Sequence, residues 1–241
     1  MRTWRRRWLW TAGLVCLVAA CSPGEVPTSV EALPVLEPKS SEAERSRGGE
    51  IPSGPVIVAL GDSLTAGLGI EIEDAYPTLL GRQLRDEGFD VTIINAGVSG
   101  DTTAAGLRRA AWSLVGDVRV LILALGGNDG LRGLPVDQMK QNLAEIVTLA
   151  KGRGIEVLLA GMEAPPNFGS RYTNDFRAVF QELADEHDLV FMPFLLNGVA
   201  GDPRLNQDDG IHPNVDGAAI VARRVREAID PLLGELGETA P

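Results

Sequence analysis

Ser63 follows the apolar run Val56–Leu60, with only Gly61 and Asp62 between the run and the hydroxyl. An all-apolar run that ends in a small-residue turn is how a buried parallel strand delivers a side chain to the edge of its sheet. A serine placed there can attack a carbonyl if a base takes its proton and a third group orients that base. The same residues also suit a plain strand-to-helix turn with Asp62 or Ser63 as the N-cap. The chain holds two histidines that could supply the base. His187 closes the acidic stretch Asp185-Glu186-His187-Asp188 and reads as a solvated cation at a helix C-terminus. His212 lies in Asp209-Gly210-Ile211-His212-Pro213-Asn214, where Pro213 biases it toward extended backbone and suits the first turn of a closing helix. Asp209, three residues earlier, can fold back across Gly210 and accept a hydrogen bond from the imidazole, although Asp209 and His212 could equally cap the helix.

Acyl transfer also needs donors aimed at the oxyanion of the tetrahedral intermediate. Gly97, in Asn95-Ala96-Gly97-Val98-Ser99-Gly100-Asp101, can bring a backbone N–H close because it has no Cβ. Asn128, after Gly126-Gly127, can offer a side-chain N–H, and both residues are also ordinary turn formers. Asp129 reads as a turn or helix cap, and Trp112 as helix packing.

These residues share one property of the chain's pattern. From Pro55 onward, five short apolar runs (Val56–Leu60, Val91–Asn95, Val118–Leu125, Ile155–Ala160, Leu189–Met192) alternate with helix-like segments. The helical segments are Ala75–Glu87, Thr102–Val115, Pro135–Lys151, Arg171–Glu186 and Pro213–Ile229. Strand–helix alternation argues an α/β fold: a flavodoxin-like, three-layer, doubly wound, parallel five-stranded sheet in one domain over residues 55–233. In such a sheet every loop after a strand opens on the carboxyl edge, where ligands bind. Ser63, Gly97, Asn128 and His212 all fall in such loops. Two more of them, Gly130–Pro135 and Met162–Tyr172, mix apolar groups with Gly and Pro and are expected to choose an acyl chain or aryl group.

The first twenty residues are of another kind. Arg2, Arg5, Arg6 and Arg7 precede an apolar stretch, Thr11–Ala20, that is too short to span a bilayer, the pattern of a secretory signal over residues 1–20. Leu17-Val18-Ala19-Ala20-Cys21 resembles a bacterial lipobox, which implies lipidation of Cys21 and a membrane contact through that lipid. Residues 22–54 are rich in Pro, Ser, Glu and Gly without periodicity and read as a disordered linker; 234–241 reads as a flexible tail. Cys16 would leave with the signal, so no disulfide or thiolate chemistry is expected. Without the four leader arginines, 18 basic residues face 33 acidic ones, a balance of −15 that disfavours nucleic acid as a partner. No metal-ligand cluster is visible, and no cofactor is expected. The first loop is neither a dinucleotide fingerprint nor a phosphate loop.

Four ordered blocks resemble those of the GDSL, or SGNH, hydrolase family: Gly61-Asp62-Ser63-Leu64, Asn95-Ala96-Gly97, Gly126-Gly127-Asn128-Asp129 and Asp209-Gly210-Ile211-His212. The stretches GDSLTAGLGIEIEDAYPTLL, INAGVSGDTTAAGLRR and DGIHPN are most similar to its arylesterase, acyl-CoA thioesterase I and lysophospholipase L1 branch. The resemblance implies Ser63 as nucleophile, His212 as general base and Asp209 as its orienting acceptor. It implies an oxyanion hole from Ser63 N–H, Gly97 N–H and the Asn128 carboxamide. The implied activity is hydrolysis of small acyl esters or thioesters through an acyl-serine intermediate. A carbohydrate O-acetylesterase would use the same groups, and a non-catalytic envelope binding lipoprotein would keep the fold alone. The leader and lipobox imply an exported protein anchored to the envelope, at the periplasmic face of an outer membrane.

Overall fold

In the computed structural model of the chain, residues 54–234 are described; the expected leader, Cys21, the linker up to residue 53 and the tail from residue 235 lie outside them. Where the sequence offers no polar face, the strands are buried on both faces. Strand β1 (Val56–Gly61) is buried at all six positions, and β3 (Val118–Ala124) at every position except Arg119. Strand β4 (Glu156–Ala160) is buried after its first residue. The edges are thinner: β2 (Thr92–Gly97) is half-buried, and β5 (Val190–Met192) is only three residues long. All pairings are parallel, in the order β2-β1-β3-β4-β5. Strand order reverses at β1, so the crevice that such a sheet opens lies beyond the carboxyl ends of β1 and its neighbours.

Among the described residues, seven α-helices follow the strands: α1 (Ser63–Ala66), α2 (Tyr76–Asp86), α3 (Thr103–Ser113), α4 (Gly127–Leu131), α5 (Val136–Lys151), α6 (Ser170–His187) and α7 (Val215–Ile229). Helix α5 shows how they attach. Its buried Met139, Leu143, Ile146, Val147 and Ala150 recur at three- and four-residue spacing and form one apolar stripe. Helices α2 and α7 pack together, and α3, α5 and α6 pack in series, which covers both faces of the sheet. The core between them includes fully buried Ile57, Leu60, Leu121, Phe176 and Phe180. Truncating Leu60 or Leu121 to alanine should cost about 2–5 kcal/mol.

The five strands and five long helices begin and end within two residues of the expected limits. Three local readings need correction. The short helices α1 and α4 fall outside the expected helical segments, although Asp62 does serve as an N-cap, that of α1. Helix α7 starts at Val215 instead of Pro213, because Asn214 is its N-cap: the Asn214 side chain accepts from Gly217 N at 3.0 Å. Trp112 does not pack; it is 80% exposed. The buried face of α3 runs through Thr103, Gly106 and Ala110, and Trp112 projects from the opposite side of the helix.

Candidate active site

The site is built on the level ends of three strands. Gly61 of β1 pairs with Gly97 of β2 on one side and Ala124 of β3 on the other, so three small residues finish in line. Over this shelf lies α1. A Cβ on Gly61 would stand 2.0 Å from Thr65 Oγ1, and one on Gly97 would stand 2.2 Å from Ala66 N. Only glycine lets α1 lie this close. Asn95 fastens it further, its Nδ2 donating to Thr65 O at 2.9 Å. Asp62 is the N-cap of α1 and its Oδ1 accepts from Leu64 N at 3.0 Å. Ser63, the first residue of α1, is thereby held at the carboxyl edge.

The loop after β5 brings the second group. Ser63 Oγ lies 2.8 Å from His212 Nε2, and His212 Nδ1 lies 2.6 Å from Asp209 Oδ2. A carboxylate can only accept, so Nδ1 carries the proton and Nε2 is left free to accept from the serine hydroxyl. Asp209 Oδ1 also accepts from Ile211 N at 2.9 Å and His212 N at 3.0 Å. Those bonds, the His212 amide first, hold the Asp209 carboxyl down at about 2. A serine, an imidazole and an ionised carboxylate thus form one continuous line, 149 residues apart in sequence between serine and imidazole. His187 is the last residue of α6 and lines no part of this site.

Ser63 and His212 open into a pocket of about 560 Å³. Its walls include Leu68, Leu131, Met162, Pro165, Phe194 and Ile211, with Glu163 at the rim bound by both oxygens to Arg177 at 2.6 and 3.0 Å. Leu131, the last residue of α4, belongs to the segment Gly130–Pro135, and Met162 and Pro165 to the segment Met162–Tyr172, the two segments expected to choose the substrate. Tyr172 ties them together: its hydroxyl donates to Leu134 O at 2.8 Å, and its ring stacks between Phe168 and Phe176 with centroids 5.3 and 6.1 Å away.

Of the expected oxyanion donors, the structure brings Ser63 and Asn128 into this pocket and leaves Gly97 out. The Gly97 N–H is already spent on Asn95 Oδ1 at 3.0 Å, and its missing Cβ serves the close packing of α1. The glycine of this loop that does line the pocket is Gly100, three residues on from Gly97, with φ at +85°. Neither its N–H nor that of Ser63 has a hydrogen-bond partner among the described residues. The sequence held a signal for it: a second glycine in Val98-Ser99-Gly100-Asp101, followed by an acid that can fix the turn.

Arg109 is a further residue that the motifs did not reveal. From α3 it binds Asp101 Oδ2 at 2.6 Å, Ala96 O at 2.7 Å and Gly61 O at 2.8 Å, stapling the ends of β1 and β2 to the loop that carries Gly100. Asp129 is buried and does cap a helix, but across the fold: its carboxylate accepts from Thr103 N at 2.8 Å and Thr103 Oγ1 at 2.7 Å at the start of α3.

The profile of the GDSL-like Lipase/Acylhydrolase family matches residues 59–220 of the chain. The chain is 39% identical over 178 residues to Esterase TesA of Pseudomonas aeruginosa PAO1, covering 73% of this chain and 89% of that one. It is 37% identical over 178 residues to the Thioesterase 1/protease 1/lysophospholipase L1 of Escherichia coli K12, covering 73% and 84%. A crystal structure of TesA superposes with a TM-score of 0.71 at 38% identity, over 74% of this chain and 99% of that one.

Proposed function

The chain belongs to the GDSL-like lipase/acylhydrolase family and is a carboxylic ester hydrolase; we propose that Ser63 is its nucleophile, His212 its general base and Asp209 the acceptor that orients the imidazole. The observation that carries this reading is the unbroken line Ser63 Oγ–His212–Asp209, at 2.8 and 2.6 Å, opening on an apolar pocket.

The chemistry is two-step acyl transfer. Ser63 Oγ attacks the carbonyl carbon while its proton passes to His212 Nε2. The carbonyl oxygen becomes an oxyanion within reach of the Ser63 and Gly100 N–H groups and the Asn128 carboxamide. Collapse expels the alcohol or thiol, which takes the proton from His212 and leaves acyl-Ser63. Water then attacks the ester, again with His212 as base, and free acid leaves. The relatives are named for esterase, thioesterase and lysophospholipase activities. The aliphatic and aromatic walls of this pocket favour an acyl chain or aryl group over a sugar.

A panel of p-nitrophenyl esters and acyl thioesters of increasing chain length tests the reading. Ser63→Ala should abolish turnover of every substrate, and Asn128→Ala should lower kcat by about 10²–10³. Turnover by Ser63→Ala at the wild-type rate would overturn it.

We also propose that the chain is exported and held to the envelope by lipid on Cys21, with residues 22–54 as tether and 55–233 as the enzyme domain. The support is the leader's composition and the Leu17–Cys21 stretch. Fractionation of cells checks it: Cys21→Ser should move the protein from the membrane fraction to the soluble one.

A further inference from the structure

Asp62 is a buried ionisable group at the site for which the acyl-transfer steps have no use. It is 2% exposed and lines the pocket beside Ser63. Its two oxygens face different partners. Oδ1 accepts from Leu64 N at 3.0 Å, within the turn that carries the nucleophile. Oδ2 accepts from Asn128 Nδ2 at 3.2 Å, on the loop after β3. The other hydrogen of the same Nδ2 goes to the carbonyl of Asp101 at 3.0 Å. Both hydrogens of the Asn128 amide are thus engaged, and the carboxamide must release one before it can bind an oxyanion.

The two acceptors are not equivalent. Asp101 O is a neutral carbonyl, and a developing oxyanion outbids it because charge-assisted hydrogen bonds are roughly twice as strong as neutral ones. The Asp62 carboxylate is itself an anion and is locked to the nucleophile's own turn. Capping alone does not account for an acid here. Serine caps a helix as well as aspartate does, without a buried charge, and burial pushes the Asp62 carboxyl up to about 6 against the pull of the Leu64 N–H, His212 and Asn128.

We infer that Asp62 is a positioning residue for ester hydrolysis: it bridges the Ser63 turn to Asn128 and keeps one Asn128 N–H fixed while the other passes from the Asp101 carbonyl to the oxyanion. This rests on the reading of Ser63 as nucleophile. The role is distinct from capping, because it acts only through Asn128.

The test is a double-mutant cycle on p-nitrophenyl ester hydrolysis. Asp62→Ser keeps an N-cap oxygen for Leu64 N but is too short for Asn128, and Asp62→Asn keeps the volume should the serine variant fold poorly. Both should lower kcat by about 10–10², less than the loss of the donor itself, with KM within twofold of wild type. In an Asn128→Ala background the same substitutions should change kcat by less than threefold, since nothing is left to position. Wild-type kcat in Asp62→Ser, or losses that multiply in the double variants, would overturn the inference. Ser63→Ala, run alongside, separates the two levels. Activity in that variant sinks the nucleophile assignment, whereas an inactive Ser63→Ala with a fully active Asp62→Ser sinks only the role of Asp62.

Discussion

At the scale of single residues, the site sets two carboxylates of opposite character around one imidazole. Asp209 is surface-accessible and its ionised form is stabilised by two backbone amides and the imidazole. Asp62 is buried, with its carboxyl raised to about 6. The sign for stability follows by linkage. A carboxyl that binds its proton more tightly in the folded chain contributes stability that is fully present below its unfolded value, near 3.8, and is lost as pH rises through about 6. The groups that share its surroundings are His212 and Tyr76. Asp62→Asn removes this carboxyl together with its coupling to His212 and leaves the more distant titrations in common with wild type, so the difference between the two reports this part of the site. Melting temperatures of the pair between pH 4.5 and 8 should show wild type gaining on Asp62→Asn as the pH falls through 6. A constant difference across that range would contradict the assignment.

At the scale of elements, small residues at strand ends do what larger ones could not. Gly97 closes β2 and its absent Cβ makes room for α1. Gly97→Ala would put a methyl carbon 2.2 Å from a backbone nitrogen, so α1 must move and take Ser63 away from His212. The expected result is a variant destabilised by about 1–3 kcal/mol, with kcat reduced more than KM, read from denaturant titration and steady-state kinetics. Arg109 works at the same scale. Its planar fork satisfies two carbonyls and a carboxylate at once, which a lysine ammonium at the same place does not reproduce. Arg109→Lys should lower kcat by about tenfold, through the Gly100 loop, and leave His212–Asp209 intact.

These elements also show what the sequence could and could not reveal. Periodicity exposed the strands and long helices, because unbroken apolar runs and apolar stripes reflect burial directly. Four short blocks pointed to Ser63, Asn128, Asp209 and His212, which the fold gathers at one edge. Gly97 was a different matter: its block names a glycine but not whether its N–H or its missing Cβ is what matters, and Asn95 decides that only in three dimensions. Arg109 and the second face of Asp62 escaped for the same reason, since their partners lie 8 to 66 residues away in sequence. Trp112 escaped because aromatic character alone does not say which side of a helix faces the sheet.

At the scale of the whole molecule, chemistry and charge are arranged differently. The pocket mouth is apolar, with Leu68, Leu131 and Ile211 both lining it and reaching solvent. The chain as a whole carries a formal charge of −11. A neutral ester should meet only the apolar mouth. A multiply anionic thioester must also approach against the protein's field, which salt screens over about 10 Å at 0.1 M. Raising ionic strength from 10 to 200 mM should therefore increase kcat/KM for an anionic acyl thioester severalfold and leave that for a p-nitrophenyl ester unchanged. Equal responses of the two substrates would mean that the global charge does not reach the site.

All of this depends on one covalent event, the attack of Ser63 on an acyl carbonyl. Reaction of the folded protein with a fluorophosphonate, followed by digestion and mass mapping of the adduct, tests it most directly. One adduct per chain is expected, on the peptide containing Gly61-Asp62-Ser63-Leu64, absent from Ser63→Ala and strongly slowed in His212→Ala. An adduct on another residue, or undiminished labelling of Ser63→Ala, would contradict it.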